Sequence, residues 1–235
     1  MEKLSNLKVL ITGGSSGIGK ATAKLLVQNG ALVVITGRDK KKLEDVASDI
    51  NAIPIHLDVS KYNSIAEKTL DAFHSMGGMD VLINNAGIGE FAKLEEVKIA
   101  HFENVFATNV FGLTMLTQEV TKFFKTQQYG TIINIGSTAA TAGFPSGSVY
   151  CSSKFALKGL TECWRHELRR DNIRVMLINP SEVTTAFNNS EREERKEEKN
   201  KLSPNEVAHA IISAIKMDNR GFIPELNIWA TNPFN

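Results

Sequence analysis

A glycine-rich turn near the start of the chain constrains the fold more than any other stretch. An apolar, β-branched run from Lys8 to Thr12 leads into TGGSSGIGK, and the following ATAKLLVQNG has helical periodicity. Gly13, Gly17 and Gly19 allow a tight turn, so a pyrophosphate could rest against the amino-terminal end of the helix. The pattern is typical of a dinucleotide site but also fits an ordinary βα turn. It is not a Walker loop, because no G-K-[ST] follows.

Apolar runs and helical patterns alternate along the rest of the chain. The further runs are ALVVITGRD, AIPIHLDVS, DVLINNAGIG, TIINIGS, RVMLINP and a last strand in GFIPELNIWATNPFN. Strands that alternate with helices predict a parallel sheet covered on both faces. At 235 residues the chain has the length of one α/β domain. We therefore predict a single-domain Rossmann fold over 1–235, with a doubly wound, seven-stranded parallel sheet.

The composition excludes several classes of partner. With 27 basic and 26 acidic residues, the chain has no electrostatic footprint for nucleic acid or an anionic membrane. No apolar run is long enough for a membrane span, and the first residues carry no signal-peptide pattern. Cys151 and Cys163 match no disulfide framework, and the five histidines have no metal spacing. We expect a cytoplasmic protein without a metal.

A tyrosine and a lysine stand one helical turn apart in STAATAGFPSGSVYCSSK. If the segment from Val149 onward is helical, Tyr150 and Lys154 are adjacent on one face. A positive charge beside a phenol lowers a pKa that is about 10 in free tyrosine, which is one way to make a proton donor. The same spacing also arises by chance, as a surface pair with a snorkelling lysine.

Arg38 follows the second strand, where a dinucleotide fold recognises the cofactor ribose. An acidic residue there would hold the hydroxyls of NAD, whereas a guanidinium can bind the extra phosphate of NADP with two parallel hydrogen bonds. The arginine favours NADPH over NADH. The next residue, Asp39, could turn inward or cap the following helix. Asp58, at the end of the third strand, could lie near the adenine or serve as a turn carboxylate.

Five motifs in register connect the chain to a known family. TGGSSGIG, NNAG, Asn109 in ATNVFG, Ser137 and YCSSK occur in the order and at the separations found in short-chain dehydrogenase/reductases. From Leu7 to about Ala186 the chain resembles that family.

The resemblance implies a role for four residues. Tyr150 would be the general acid that protonates a carbonyl oxygen as hydride arrives from the nicotinamide. Lys154 would lower the pKa of Tyr150 and bind the nicotinamide ribose. Ser137 would orient the carbonyl, and Asn109 would hold a water that relays protons from Lys154 to solvent. These residue types suit such roles, since they supply one donor, one tuning charge and two hydrogen-bonding groups.

The resemblance also implies which residues contact NADPH or NADP+. Besides Tyr150 and Lys154, they are Gly13, Ser15, Ser16, Gly17, Ile18, Gly19, Arg38, Asp58, Val59, Asn85, Ala86, Gly87, Pro180, Val183 and Thr185. Where many relatives have Pro-Gly, this chain has Pro180-Ser181-Glu182, which puts a carboxylate close to the cofactor.

Within the family, the chain most resembles 3-oxoacyl-[acyl-carrier-protein] reductases of fatty acid synthesis. The substrate would then be an acyl thioester, with acyl carrier protein as partner. At the positions of the basic residues that help dock the carrier in such reductases, this chain has Gln128 and Asp171. Only Lys125, Arg169 and Arg170 are basic nearby. One alternative is a reductase of another small ketone or diketone. A more distant one is a catalytically silent NADP-sensing regulator.

Two further segments carry expectations about assembly and substrate access. Long helical patterns from about Ala100 to Gln127 and from Val149 to Arg170 are apolar on more than one face, so something must cover both sides. We expect a homo-dimer or homo-tetramer, with a fully buried helix as the alternative. Residues 186–202 would form a mobile substrate lid. Its charged part, 191–199, could be a solvated helix or a mobile loop.

Overall fold

Seven parallel strands form one sheet in the computed structural model, which describes residues 4–187 and 193–234. The strands are β1 Lys8–Ile11, β2 Leu32–Gly37, β3 Ile53–His56, β4 Val81–Asn84, β5 Gly130–Ile135, β6 Ile173–Pro180 and β7 Glu225–Ile228. The α-helices are α1 Gly17–Gln28, α2 Lys40–Ile50, α3 Ile65–Met76, α4 Ile99–Phe106, α5 Leu113–Gln127, α6 Ser148–Leu168 and α7 Pro204–Ile215.

The strand order creates a crevice next to β1. The sheet runs β3-β2-β1-β4-β5-β6-β7, and all its pairs are parallel. The chain winds outward from β1 to β3, then returns to pair β4 with the other side of β1, where Val9 lies opposite Val81. Ligands of open α/β sheets bind at such a switch point, outside the carboxyl ends of the strands. The predicted doubly wound, seven-stranded parallel sheet is confirmed.

Alternating side chains on each strand form two cores. Val9 and Ile11 of β1 belong to the core under α1, α2 and α7, whereas Leu10 between them packs into the core under α3, α5 and α6. Both faces of the central strands are therefore buried, which explains their continuous apolar runs.

Side-chain caps define where two of the helices begin. The Asp39 carboxylate accepts a hydrogen bond from the Lys42 amide at 3.0 Å, so Asp39 is the N-cap of α2. At α7, the Glu206 carboxylate accepts from the Ser203 amide, and Pro204 occupies the first helical turn. Capping is one of the two roles that the sequence left open for Asp39.

Two predicted boundaries were wrong. The third strand ends at His56, not Asp58, because its pairing with β2 stops there. The predicted helix from about Ala100 to Gln127 is interrupted by a π-helical segment, Ala107–Gly112, that joins α4 to α5. Gly112 lies so close to β3's exit loop that a Cβ there would be 2.2 Å from the Val59 carbonyl oxygen, and the wider turn accommodates this approach.

The described ranges 4–187 and 193–234 also bear on two other expectations. None of their helices combines the length and the apolar character that a membrane crossing requires. The predicted lid at 186–202 includes residues 188–192, which lie outside the described residues. Over 193–198 the backbone has no regular secondary structure, so the helical alternative for this part of the charged segment is wrong.

Candidate active site

The carboxyl ends of six strands bring the predicted site residues to one edge of the sheet. The glycine turn follows β1, Arg38 follows β2, Asp58 and Val59 follow β3, and Asn85 to Gly87 follow β4. Ser137 follows β5, and the residues from Pro180 to Thr185 end or follow β6. The helix α6 then presents Tyr150 and Lys154 from its first two turns.

The turn after β1 is held open for a ligand by missing side chains. Gly17 has a positive φ of 51°, which favours glycine, and it is the first residue of α1. A Cβ on Gly19 would lie 2.4 Å from the Gly13 carbonyl oxygen and 2.5 Å from Asn85 Nδ2. The backbone can pack this closely only without those Cβ atoms. The turn is thus a cradle of closely packed backbone at the amino-terminal end of α1.

Asn85 fastens the turn after β4 to the glycine turn. Its Nδ2 donates to the carbonyl oxygens of Thr12 and Gly13, both at 2.9 Å. In return, the Thr12 hydroxyl accepts from the amides of Asn85 and Ala86, both at 3.0 Å. Asn85 therefore positions the cradle through its side chain, while Ala86 and Gly87 leave space beside it.

Ser137 is positioned by the strand next to it. Its backbone amide donates to Asn179 Oδ1 at 3.1 Å, and Asn179 is fully buried in β6. Asn179 Nδ2 in turn donates to Glu225 and Asn227 of β7, each at 3.0 Å. The Ser137 hydroxyl accepts from the Ala139 amide at 3.1 Å. This chain of hydrogen bonds ties the serine to three adjacent strands.

Tyr150 and Lys154 lie on one face of α6, as predicted. The Lys154 ammonium is 5.8 Å from the centroid of the Tyr150 ring and donates to the Ile135 carbonyl oxygen at 2.9 Å. The Tyr150 hydroxyl hydrogen-bonds with the Ser137 hydroxyl. Ser137, Tyr150 and Lys154 therefore form one cluster, with a phenol between a hydroxyl and a buried ammonium.

Burial sets the pKa values of both groups on α6. It raises the pKa of Tyr150 to about 12, and the hydrogen bond with Ser137 only partly offsets this rise. Burial also lowers the pKa of Lys154 to about 8. Lys154 is not among the causes of the rise at Tyr150, so the role predicted for it, lowering the pKa of Tyr150, stays a prediction. Loss of water destabilises the phenolate directly, whereas the ammonium is directed at the Ile135 carbonyl.

Asn109 is buried in the π-helical segment and holds the loop after β4. Its Oδ1 accepts from the Ile88 amide at 2.9 Å, and its Nδ2 donates to the Ile88 carbonyl at 2.9 Å and to the Ser153 hydroxyl at 3.1 Å. A Cβ on Gly87 would lie 3.5 Å from Asn109 Oδ1 and 3.8 Å from Lys154 Nζ. The amide oxygen and the ammonium therefore border the same space, and the oxygen keeps a second lone pair.

The acidic alternatives near Arg38 are engaged elsewhere. The side chain of Asp39 caps α2, so it does not turn inward. Asp58 Oδ1 accepts from the amide and the hydroxyl of Ser60, at 3.0 and 2.7 Å, which is the arrangement of a turn carboxylate. Arg38 is exposed just past β2, and Ser15 lies beside the preceding residue, since a Cβ on Gly37 would be 3.1 Å from the Ser15 hydroxyl oxygen.

A carboxylate of the charged segment occupies the cradle. Glu194 accepts hydrogen bonds from the backbone amides of Gly17 and Ala186, at 2.7 and 3.1 Å, one on each oxygen. Thr185 borders the same place, since its Cγ2 would be 3.0 Å from a Cβ on Gly17. The two amides come from the start of α1 and from the loop after β6. Together they hold an anion, which is the charge that a cofactor phosphate would bring.

Glu182 lies outside this cradle. Its carboxylate accepts from Lys201 at 2.9 Å and pairs with Arg195 at 3.3 Å. Partial burial raises the pKa of Glu182, but the hydrogen bonds and charges of Lys201 and Arg195 outweigh it and hold the pKa below its usual value. The carboxylate that the sequence places near the cofactor is thus directed at the charged segment. Val183 forms an isolated parallel bridge with Leu202.

Two phenylalanines contact the Tyr150 ring, and a third contacts one of these two. The ring centroids of Phe91 and Phe187 each lie 5.5 Å from that of Tyr150, and Phe144 lies 6.0 Å from Phe91. The Phe91 and Phe187 rings contact the phenol, whose pKa is raised by burial. Together with Phe144 they form an apolar wall beside Tyr150.

The comparison with known proteins agrees with this geometry. The model of the family described as short chain dehydrogenase matches residues 7–196. The chain belongs to the short-chain dehydrogenase family. An uncharacterized oxidoreductase of Staphylococcus saprophyticus is 31% identical, over 97% of this chain and 97% of that protein. As a member of this family, the chain is an oxidoreductase.

Two solved structures of short-chain dehydrogenase relatives have the same fold over nearly their whole length. An alcohol dehydrogenase of Thermococcus sibiricus, complexed with 5-hydroxy-NADP, is 27% identical with a TM-score of 0.88, covering 96% of this chain and 97% of its own. A 3-ketoacyl-(acyl-carrier-protein) reductase of Brucella melitensis, complexed with NADH, is also 27% identical with a TM-score of 0.88, covering 98% and 100%.

Several residues of this short-chain dehydrogenase site were missed from the sequence. Asn179, Ser153 and Glu194 hydrogen-bond at the site, but an asparagine in a strand, a serine in a helix and one acid among many carry no distinct signal. Phe144 and Phe187 lie in the loops after β5 and β6, at the carboxyl edge of the sheet. Their position after these strands could have identified them as site residues, because ligands of such sheets bind at this edge.

Proposed function

We propose that the chain is an NADPH-dependent reductase that converts a carbonyl group to an alcohol. The observation that carries this proposal is the cluster of Ser137, Tyr150 and Lys154 next to the glycine cradle at the switch point of the sheet. Bound NADPH would supply the hydride. The protein would supply orientation, a proton and a site that excludes water.

In this proposal Tyr150 donates its hydroxyl proton to the carbonyl oxygen. A pKa of about 12 keeps the phenol protonated at neutral pH, so the donor is loaded before the reaction. The Ser137 hydroxyl orients the carbonyl by hydrogen bonding. Lys154, whose pKa is about 8, binds the nicotinamide ribose and returns a proton to Tyr150. The free lone pair of Asn109 would hold the water that supplies that proton.

The cradle would hold the cofactor. The Glu194 carboxylate on Gly17 and Ala186 supports this assignment, because two backbone donors already bind an anion there. Arg38 would bind the phosphate that distinguishes NADP from NAD. The remaining proposed contacts are those named from the sequence: Gly13, Ser15, Ser16, Ile18, Gly19, Asp58, Val59, Asn85, Ala86, Gly87, Pro180, Val183 and Thr185.

Two substrate classes compete within this proposal. The fold shared with the Brucella reductase supports a 3-oxoacyl thioester on acyl carrier protein. Against carrier docking, Lys125 is paired with Asp171 at 3.9 Å, which reduces the positive charge available to an acidic partner. The aromatic rings around Tyr150 support a small ketone or diketone. On balance we favour the small carbonyl compound.

A substrate panel with one tyrosine variant tests the proposal. NADPH oxidation is followed with acetoacetyl thioester, 2,3-butanedione and other diketones. Tyr150→Phe should retain NADPH binding but lose at least about a hundredfold in turnover, the scale of general acid catalysis. Tyr129→Phe is the matched control, since the Tyr129 hydroxyl donates to Asp80 at the far end of β5. Retained turnover in Tyr150→Phe would contradict the assigned role. NADPH binding with no carbonyl reduction at all would favour a regulatory protein.

A further inference from the structure

Three phenylalanines from three different loops form a continuous aromatic wall beside Tyr150. Phe91 follows β4, Phe144 follows β5 and Phe187 follows β6. The rings of Phe91 and Phe187 are inclined to the Tyr150 ring by 53° and 56°, with centroids 5.5 Å away in both cases. Such tilted contacts are the favourable geometry between aromatic quadrupoles. The phenol hydroxyl thus lies at the inner end of a site with aromatic sides.

Gly89 leaves room for the edges of the Phe91 and Phe187 rings. A Cβ at this position would lie 2.8 Å from Phe91 Cε2 and 2.9 Å from Phe187 Cζ. A side chain here would collide with both rings and force them to move. The wall in its present arrangement therefore requires glycine at position 89.

The charged neighbour of the wall points elsewhere. Glu90 lies between Gly89 and Phe91, but its carboxylate is 3.6 Å from the His101 ring and accepts from Asn104 at 3.4 Å, both on α4. Its charge is thus drawn away from the rings. At the outer end, Phe144 is 46% exposed, so the wall extends from the buried phenol to the surface.

We propose that the wall of Phe91, Phe144 and Phe187 selects substrates that carry an aromatic ring next to the reacting carbonyl, such as aryl ketones and aryl diketones. This inference rests on the proposed carbonyl reductase function. An entering aryl ring displaces Phe91 and Phe187 from Tyr150 and replaces their contacts with equivalent ones to its own faces and edges. A saturated ring of the same size buries a similar area but has no quadrupole to match.

The reaction balances with NADPH as the reductant. Hydride from NADPH forms the new C–H bond at the carbonyl carbon, and the proton of Tyr150 forms the O–H bond. The products are a benzylic alcohol and NADP+, and solvent returns the proton to Tyr150. The aryl ring itself takes no part in bond changes.

A matched pair of substrates tests the aromatic selection. 1-Phenyl-1,2-propanedione and its cyclohexyl analogue differ only in the saturation of the ring. We expect kcat/KM to favour the phenyl compound by roughly tenfold, from two aromatic contacts. Phe91→Leu and Phe187→Leu should each reduce that ratio severalfold. Phe123→Leu is the control, because Phe123 stacks on Phe73 between α3 and α5. It should leave the ratio unchanged.

The outcomes separate this inference from the proposed function. If 2,3-butanedione is reduced but the phenyl and cyclohexyl compounds are equivalent, the aromatic selection is wrong and the reductase function stands. If the phenyl-to-cyclohexyl ratio of kcat/KM is unchanged in both leucine variants, the aromatic selection is likewise wrong and the reductase function stands. If no carbonyl compound is reduced, calorimetric titration with the matched alcohols, 1-phenylethanol and 1-cyclohexylethanol, still tests whether the wall selects an aromatic ring. Tighter binding of the phenyl alcohol that Phe91→Leu removes would support the wall, and equal binding would overturn it.

Discussion

Lys154 connects the protonation of the site to the stability of the whole chain. Its side chain is 6% exposed, and burial lowers its pKa from 10.5 to about 8. Between these values the unfolded chain binds more protons than the folded chain, so the free energy of unfolding increases with pH. Tyr150 acts in the opposite sense at higher pH. Its pKa rises from 10.0 to about 12, so above pH 10 the unfolded chain loses the proton first and stability decreases.

We expect the ligand-free protein to gain stability as the pH rises from about 8 to 10. The gain from Lys154 alone would be on the order of 2–3 kcal/mol. In Lys154→Met this gain should vanish, whereas Lys41→Met, an exposed position on α2, should behave like wild type. Urea unfolding at each pH measures the free energy. A Lys154→Met profile parallel to that of wild type would show that the ammonium is not the cause.

Arg38 is expected to distinguish the two nicotinamide cofactors. Replacing Arg38 with alanine removes a guanidinium that can bind the extra phosphate of NADPH but has no such partner in NADH. We expect KM for NADPH to rise by about tenfold or more and KM for NADH to change little, since charge-assisted hydrogen bonds contribute about 1.5–3 kcal/mol. Arg220→Ala, at an exposed arginine paired with Asp218, is the control. Equal changes for both cofactors would refute the phosphate assignment.

At the scale of elements, the charged segment after β6 and the start of α1 share an anion site. Glu194 bridges Gly17 at the first turn of α1 and Ala186 in the loop. Neighbouring charges hold the segment near this position, since Arg195 pairs with Glu182 and Lys201 pairs with both Glu182 and Glu198. A cofactor phosphate that uses the same amides must displace the carboxylate.

Glu194→Gln should therefore bind NADPH more tightly than wild type. The neutral amide is a weaker acceptor for the two backbone donors, so a larger fraction of the protein has a free cradle, and the apparent Kd decreases severalfold. Glu197→Gln, in the same segment, removes the same charge without touching the cradle and is the control. Fluorescence titration of NADPH gives both constants. Weaker binding in Glu194→Gln would mean that the carboxylate supports the cofactor.

Local sequence patterns predicted the strands and helices well, because each element is encoded by the residues within it and directly beside it. The buried strands are continuous apolar runs, and Asp39 caps α2 within a few positions. The features that were missed depend on distant partners. The π-helical segment ends at Gly112, which approaches the Val59 backbone of a distant loop. The raised pKa of Tyr150 comes from burial in the folded chain, where rings from other loops contact it. No window of neighbouring residues contains such information.

For the whole molecule, exposed apolar side chains on the two long helical segments predict self-association. Phe111 is 51%, Met115 39% and Phe155 47% exposed. We expect a dimer or tetramer in analytical ultracentrifugation, and Phe155→Glu should shift it towards monomer, because a charge would be buried in the interface. Leu70→Glu on α3, where Leu70 is 45% exposed, is the control. A monomeric wild-type protein at micromolar concentration would contradict the expectation.

The pairing of β1 with β4 has a consequence for biosynthesis. During translation β1, β2 and β3 emerge first, yet one side of β1 stays without its partner until β4 has been made. Until then the nascent chain presents an apolar strand with unpaired backbone groups, a state prone to aggregation. Pairing of such high contact order is intrinsically slow. The hydrogen bonds between Asn85 and the glycine turn form only when β1 and β4 pair. During refolding, cofactor binding should therefore return in the same kinetic phase as global folding and not before it.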